Sequence, residues 1–160
     1  SYVVEHNIPL MAMYKPVRNR FSKMIADRAR DRMKFITVPT DRHAIRAMCD
    51  HLSKKHALWL PIDDFKNGQV HFPRLGRPMA LKGTNASHIV RLADRYDAAI
   101  IPVRTRRRDG LSPHIDVRLY DAVRVRDGKL DEALDTLDRM VEQWVMEDLE
   151  QWYMLHELRM

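Results

Sequence analysis

The chain has 160 residues, 45% of them hydrophobic and 31% charged, which suits one domain with its own core and excludes a disordered tail. Its 28 basic residues against 22 acidic ones leave a net charge of +6, which favours anionic partners: phosphates, acidic proteins, anionic lipid or nucleic acid. The single Cys49 excludes an internal disulfide framework, and no stretch reaches the ~20 apolar residues of a membrane span.

The elements follow in order. "PLMAMY" (9–14) is a short apolar run ended by Lys15 and Pro16, which predicts a buried strand. Over 18–32, Phe21, Met24, Ile25 and Ala29 recur at helical spacing, and the other face is expected to carry Arg20, Lys23, Asp27, Arg28, Arg30 and Asp31. "MKFITV" (33–38) predicts a second strand closed by Pro39. Thr40 or Asp41 then caps a helix striped by Ala44, Ile45, Met48 and Leu52. Cys49 shares a face with Ile45 and Leu52 and is read as core, and a reducing compartment fits it. "ALWLPI" (57–62) is apolar on both faces, as a central parallel strand would be.

A short "VHF" strand follows, and then Thr84 or Asn85 caps a helix through Ile89, Val90, Ala93 and Tyr96. "AAIIPVR" (98–104) is a second central-strand candidate. Asp109-Gly110 marks a turn tip before the alternating "IDVRLYDAV", so this pair predicts a hairpin. Residues 130–149 form the strongest helix, with Leu130, Ala133, Leu134, Leu137, Met140, Val141, Trp144 and Val145 in phase. Strands alternating with helices imply an α/β fold: a mainly parallel central sheet, flanking helices, an antiparallel edge hairpin and a long C-terminal helix. Residues 1–160 read as a single domain. Ligands of such sheets bind beyond the carboxyl ends of the strands, which singles out the loop from Asp63 to Pro78.

Asp63 and Asp64 can bind a metal, serve in acid–base chemistry or hold nearby arginines such as Arg74 and Arg77. Arg28, Arg30 and Arg32 alternate at a helix end, where bases complement the dipole. Arg104, Arg106, Arg107 and Arg108 crowd the hairpin and can meet phosphates, an anionic membrane surface or only solvent. No recognised nucleic-acid motif occurs, and aromatics do not interleave with the bases, so no nucleic acid is expected. The eight histidines show no metal-ligand spacing, and no phosphate-binding glycine loop or nucleophile elbow occurs. No metal or cofactor is expected.

Taken together, "MYKPVRNRF", "ADRARDR", "ALWLPIDDF…VHFPRLGRPMA", "IVRLADRYDAAIIPVRTRR" and "EQWYMLHELRM" resemble, in order, segments of the bacterial lipid A late acyltransferases. These form a branch of the lysophospholipid acyltransferase superfamily. The resemblance covers nearly the whole chain. It implies transfer of a fatty acyl chain, from acyl carrier protein or acyl-CoA, to a hydroxyl of a lipid A-type acceptor. It also implies a substrate-binding set of Arg28, Arg30, Asp63, Asp64, Arg74, Arg77 and His156. The family's H-x-x-x-x-D/E motif pairs a general base with the carboxylate that orients it. None of the eight histidines here is followed by an acid at that spacing, so no catalytic residue is assigned in this chain.

The chain is therefore expected to be the carboxyl-side part of a larger acyltransferase domain. Ser1, running directly into "YVVEHNIPLMAMY", fits an excised piece. The missing part would bring the motif and an N-terminal membrane anchor, placing the protein at the cytoplasmic face of the inner membrane with help from its basic patches. The sequence departs from the family pattern at Ile62, Glu157 and Leu158, and by about one extra helical turn between Gly76 and Ala93. These departures motivate the alternative of a non-catalytic relative that binds lipid, acyl carrier protein or a protein partner.

Overall fold

A computed structural model describes residues 7–17, 19–32, 36–41, 43–108 and 114–157. The expected turn tip at Asp109-Gly110 and the first half of the strand expected over 33–38 lie outside these residues. The chain divides into two compact units, Ser1–Leu60 and Pro61–Met160. Among the described residues it is mixed α/β, with a parallel three-stranded sheet, two antiparallel hairpins and four α-helices, the last of them long.

The first unit holds β1 (Leu10–Tyr14), α1 (Arg20–Asp31), β2 (Ile36–Pro39), α2 (Ala44–Ser53) and β3 (Ala57–Trp59). Both neighbours pair parallel to β1, in the order β2-β1-β3. The central strand is thus β1, whose Leu10 and Met11 are buried. The run 57–62, expected to be central, supplies only an edge strand that stops at Trp59, two residues short of Pro61, which has no N–H to give a ladder.

Asn19 caps α1, its Oδ1 accepting from the N–H groups of Phe21 (2.9 Å) and Ser22 (3.1 Å). The helix is amphipathic as expected, but its apolar stripe faces outward: Phe21 is 73% exposed and Ile25 65%. Arg28, expected on the polar side, follows Phe21, Met24 and Ile25 by seven, four and three residues and shares their exposed face. The half-buried side is polar. Arg30 lies over the Tyr14 ring at 3.8 Å and pairs with Asp27 at 2.5 Å.

On α2 the buried residues are Ala44, Met48, His51 and Leu52, spaced for one face. Ile45 is exposed and Cys49 only half-buried, one position off that face, so the reading of both as core is corrected. Asp41 accepts from the His43 N–H through Oδ1 at 2.7 Å, just ahead of α2.

The second unit begins with an antiparallel hairpin, β4 (Asp64–Lys66) and β5 (Gln69–Phe72). Then come α3 (Asn85–Tyr96), β6 (Val103–Arg107), β7 (Ile115–Leu119) and α4 (Leu130–Glu147). Two 3-10 turns follow, at Leu149–Gln151 and Tyr153–Glu157. The core is built where α3 meets α4: Ala86 and Val90 pack with Ala133, Leu137 and Val141, and Phe72 of β5 is fully buried among them. The run 98–104 is not a strand of the parallel sheet. Ile100 makes an isolated antiparallel bridge with Val123, and the chain becomes a strand only at Val103, pairing with β7. Pro102 between them has no N–H to continue a ladder.

Candidate functional site

The β4–β5 hairpin turns through Asn67 (φ 53°) and Gly68 (φ 78°), both left-handed, as a two-residue turn between twisted strands requires. That turn sets Asp64 opposite Phe72, and Asp64 is buried. Its Oδ2 accepts from Lys66 Nζ at 2.8 Å and from the Asn85 N–H at 3.2 Å. The second contact puts a carboxylate at the N-terminus of α3, where helix amides favour negative charge. Lys66 also donates to the Gly83 carbonyl at 2.8 Å. Thr84, rather than Asn85, is the cap, its Oγ1 accepting from the Ser87 N–H at 3.2 Å. Asn85 Nδ2 instead donates to the Asp63 carbonyl at 2.9 Å. Asp63, Asp64 and Lys66 are therefore all stitched to the segment that opens α3.

Asp63 differs from its neighbour. Among the described residues no side chain hydrogen-bonds or ion-pairs with its carboxyl, and it is half-buried. Burial pushes its pKa above the ordinary aspartate value; a bond from its own backbone opposes this, and the Asp64 carboxylate adds to the rise.

Past Phe72, Arg74 is fixed to α4. Its backbone N–H donates to Asp138 Oδ1 at 2.9 Å and its Nε to Asp138 Oδ2 at 2.7 Å, while Nη2 reaches Asp135 at 2.8 Å. Asp138 is 2% exposed, so this is a nearly buried ion pair with a charge-assisted backbone bond beside it. Arg77 bends back on the loop, its Nε donating to the Arg74 carbonyl at 2.9 Å and its Nη2 to the Val70 carbonyl of β5 at 2.6 Å. The turn Tyr153–Glu157 lies against β5 and carries His156, whose ring stands edge-on to Tyr153 at 5.6 Å between centroids.

Five of the seven expected site residues thus gather round one hairpin: Asp63, Asp64, Arg74, Arg77 and His156. The other two, Arg28 and Arg30, belong to the first unit and occupy opposite sides of α1. Arg30 is stacked and paired, whereas Arg28 is exposed and has no ion-pair partner among the described residues. Sequence reasoning missed Lys66, Asn85 and Asp138. Lys66 follows Asp64 by two on a strand, the spacing of one face. Asp138 is a lone acid in the apolar stripe of α4, four residues after Leu134 and three before Val141. Such an acid needs a buried cation or donor.

Among the described residues, no group of three or more His, Cys, Asp or Glu side chains is placed to hold a metal ion. Nor is any helix there long and apolar enough to cross a membrane. Compared with known proteins, residues 2–159 match the model of the bacterial lipid A biosynthesis acyltransferase family. No curated protein matches the chain.

Proposed function

We propose a function for this chain within the family to which it belongs, the bacterial lipid A biosynthesis acyltransferases. It forms the carboxyl-side part of a larger α/β domain that moves a fatty acyl chain from a thioester, on acyl carrier protein or coenzyme A, to a hydroxyl of a lipid A-type acceptor at the cytoplasmic side of the inner membrane. The match over residues 2–159 carries this reading. In the reaction, the acceptor oxygen bonds to the thioester carbonyl carbon and its proton passes to a general base. The tetrahedral oxyanion then expels the thiolate, which takes up a proton. The base is the histidine of H-x-x-x-x-D/E, a motif absent from this sequence and assigned to the preceding part of the parent protein.

This chain supplies acceptor recognition. Arg28 is exposed and lacks an ion-pair partner among the described residues, which suits it to bind an acceptor phosphate. Arg30, on the opposite side of the helix, is held by Tyr14 and Asp27 and steadies α1 instead. In the second unit, Asp63 is half-buried with its pKa raised by that burial, and its loop is offered to the polar groups of the acceptor. Asp64 positions Asp63 by tying the loop to Lys66 and α3. Arg74 and Arg77, largely engaged with Asp138, Asp135 and backbone carbonyls, hold the loop that borders the acceptor, and His156 closes the same hairpin from the C-terminal side.

The test uses the full-length parent with acyl-acyl carrier protein, acyl-CoA and a lipid A-type acceptor. Transfer is expected from one of the donors, and Arg28→Ala should lower kcat/KM by about 10- to 100-fold, the worth of a charge-assisted hydrogen bond. Wild-type rates for Arg28→Ala would remove that residue from the site. No transfer with either donor would favour a non-catalytic relative that binds lipid or acyl carrier protein, the reading that Ile62, Glu157 and Leu158 suggest.

A further inference from the structure

We infer that the β6–β7 hairpin is a docking element for an anionic lipid surface, which it meets with the apolar side of its sheet. The inference takes from the proposed function only that the substrates are lipids; no step of acyl transfer enters it.

Register assigns the two sides. Val103 faces Leu119, Thr105 faces Val117 and Arg107 faces Ile115, so these six share one side, while Arg104, Arg106, Asp116 and Arg118 share the other. A two-sided sheet ordinarily buries its apolar side. Here the turned-in residue is Arg104 of the charged side, while Arg106, Asp116 and Arg118 stay exposed. Arg104 binds Glu147 at 2.5 Å and also Asp148, and Arg106 reaches Asp148 at 3.0 Å. Both acids lie at the end of α4, so these guanidinium groups are neutralised within the fold. The apolar side is left outward, with Ile115, Val117 and Leu119 at 61%, 55% and 63% exposure. The end of β6 is already closed, since Gln151 accepts from the Arg107 N–H at 2.8 Å and donates to its carbonyl at 3.2 Å. That favours contact through side chains over addition of another strand at this end.

Charge selects the occupant. Between Val103 and Arg126 the sequence has seven arginines against three aspartates; Arg104 and Arg106 are paired with acids at the end of α4 and Arg108 with Asp116, which leaves Arg107, Arg118, Arg124 and Arg126 without an ion pair among the described residues. Arg107 shares the apolar side, and Arg124 and Arg126 are exposed just after β7. An apolar centre with basic residues beside it requires a medium that is apolar within and anionic at its boundary. A bilayer carrying anionic headgroups is such a medium; an acidic protein or a nucleic acid would meet the arginines and leave the aliphatic side chains in water.

The full chain is tested by co-sedimentation with phosphatidylcholine vesicles, with and without phosphatidylglycerol. Binding is expected only to the anionic vesicles and should weaken as salt rises. Val117→Glu and, separately, Leu119→Gln should each reduce it, the first by about tenfold, with unchanged far-UV circular dichroism. Phe21→Glu, on the exposed face of α1, should bind as wild type. The inference is overturned if Val117→Glu binds like wild type, if Phe21→Glu alone abolishes binding, or if anionic vesicles retain nothing. It is also overturned if light scattering shows a dimer that Val117→Glu splits, since a second copy would then cover this side. Acyl transfer by the parent on detergent-dispersed acceptor is scored separately, so either reading can fail alone.

Discussion

Asp63 and Asp64 adjoin in sequence, yet their surroundings give them different work. Asp64 has the Lys66 ammonium and a helix N-terminus, and holds the hairpin to α3. Asp63 lies half-buried beside that carboxylate, and desolvation raises its pKa. A raised folded-state value means that Asp63 stabilises the fold least when ionised: its contribution is full below the unfolded pKa and is lost as pH rises through the folded one. Asp63→Asn should therefore raise the melting temperature at neutral pH, and the gain should vanish below about pH 4, where the acid is neutral in both states. Thermal melts at the two pH values check this; a lower melting temperature at neutral pH would show that the ionised carboxylate has a stabilising partner. The adjacent acids were legible in the sequence, but their division of labour was not, because it depends on Asn85, twenty-odd residues further on.

Among the elements, α1 and the β6–β7 hairpin make the same point from different periods. The spacing of Phe21, Met24 and Ile25 shows which residues share a side, and so does the alternation of Ile115, Val117 and Leu119. Neither pattern says which side meets the rest of the chain. In both elements an arginine on the side away from the apolar stripe is engaged: Arg30 on Tyr14 and Asp27, Arg104 on Glu147 and Asp148. The β4–β5 hairpin was readable in a way the expected "VHF" strand understates, since Asn67-Gly68 is the dipeptide that a two-residue turn favours. Nothing lies within 4 Å of a Cβ added at Gly68, so Gly68→Ala meets only the backbone cost of a left-handed residue. Urea denaturation should show a loss of about 1–2 kcal/mol; no loss would mean that the turn relaxes to another type.

At the scale of the whole molecule, α4 organises the second unit through one buried acid. Asp138 joins the helix to Arg74, 64 residues earlier, by both backbone and side chain. Asp138→Ala leaves that N–H and guanidinium without their acceptor and should cost about 2–4 kcal/mol, whereas Asp135→Ala, at the exposed end of the same arginine, should cost less than about 1 kcal/mol. Equal losses in urea denaturation would show that exposure does not separate the two contacts. The α/β class, the order of strands and helices, the long last helix and the family are all inscribed in the amino-acid sequence, because each rests on local periodicity or on ordered short segments. Tertiary structure alone decided that β1 rather than 57–62 is central, that two amphipathic elements show their apolar sides, and that Arg74 and Arg104 are committed to partners. A helix or strand repeats its pattern whatever surrounds it; which side is buried, and which charge is neutralised, depends on side chains that folding brings from 43 and 64 positions away.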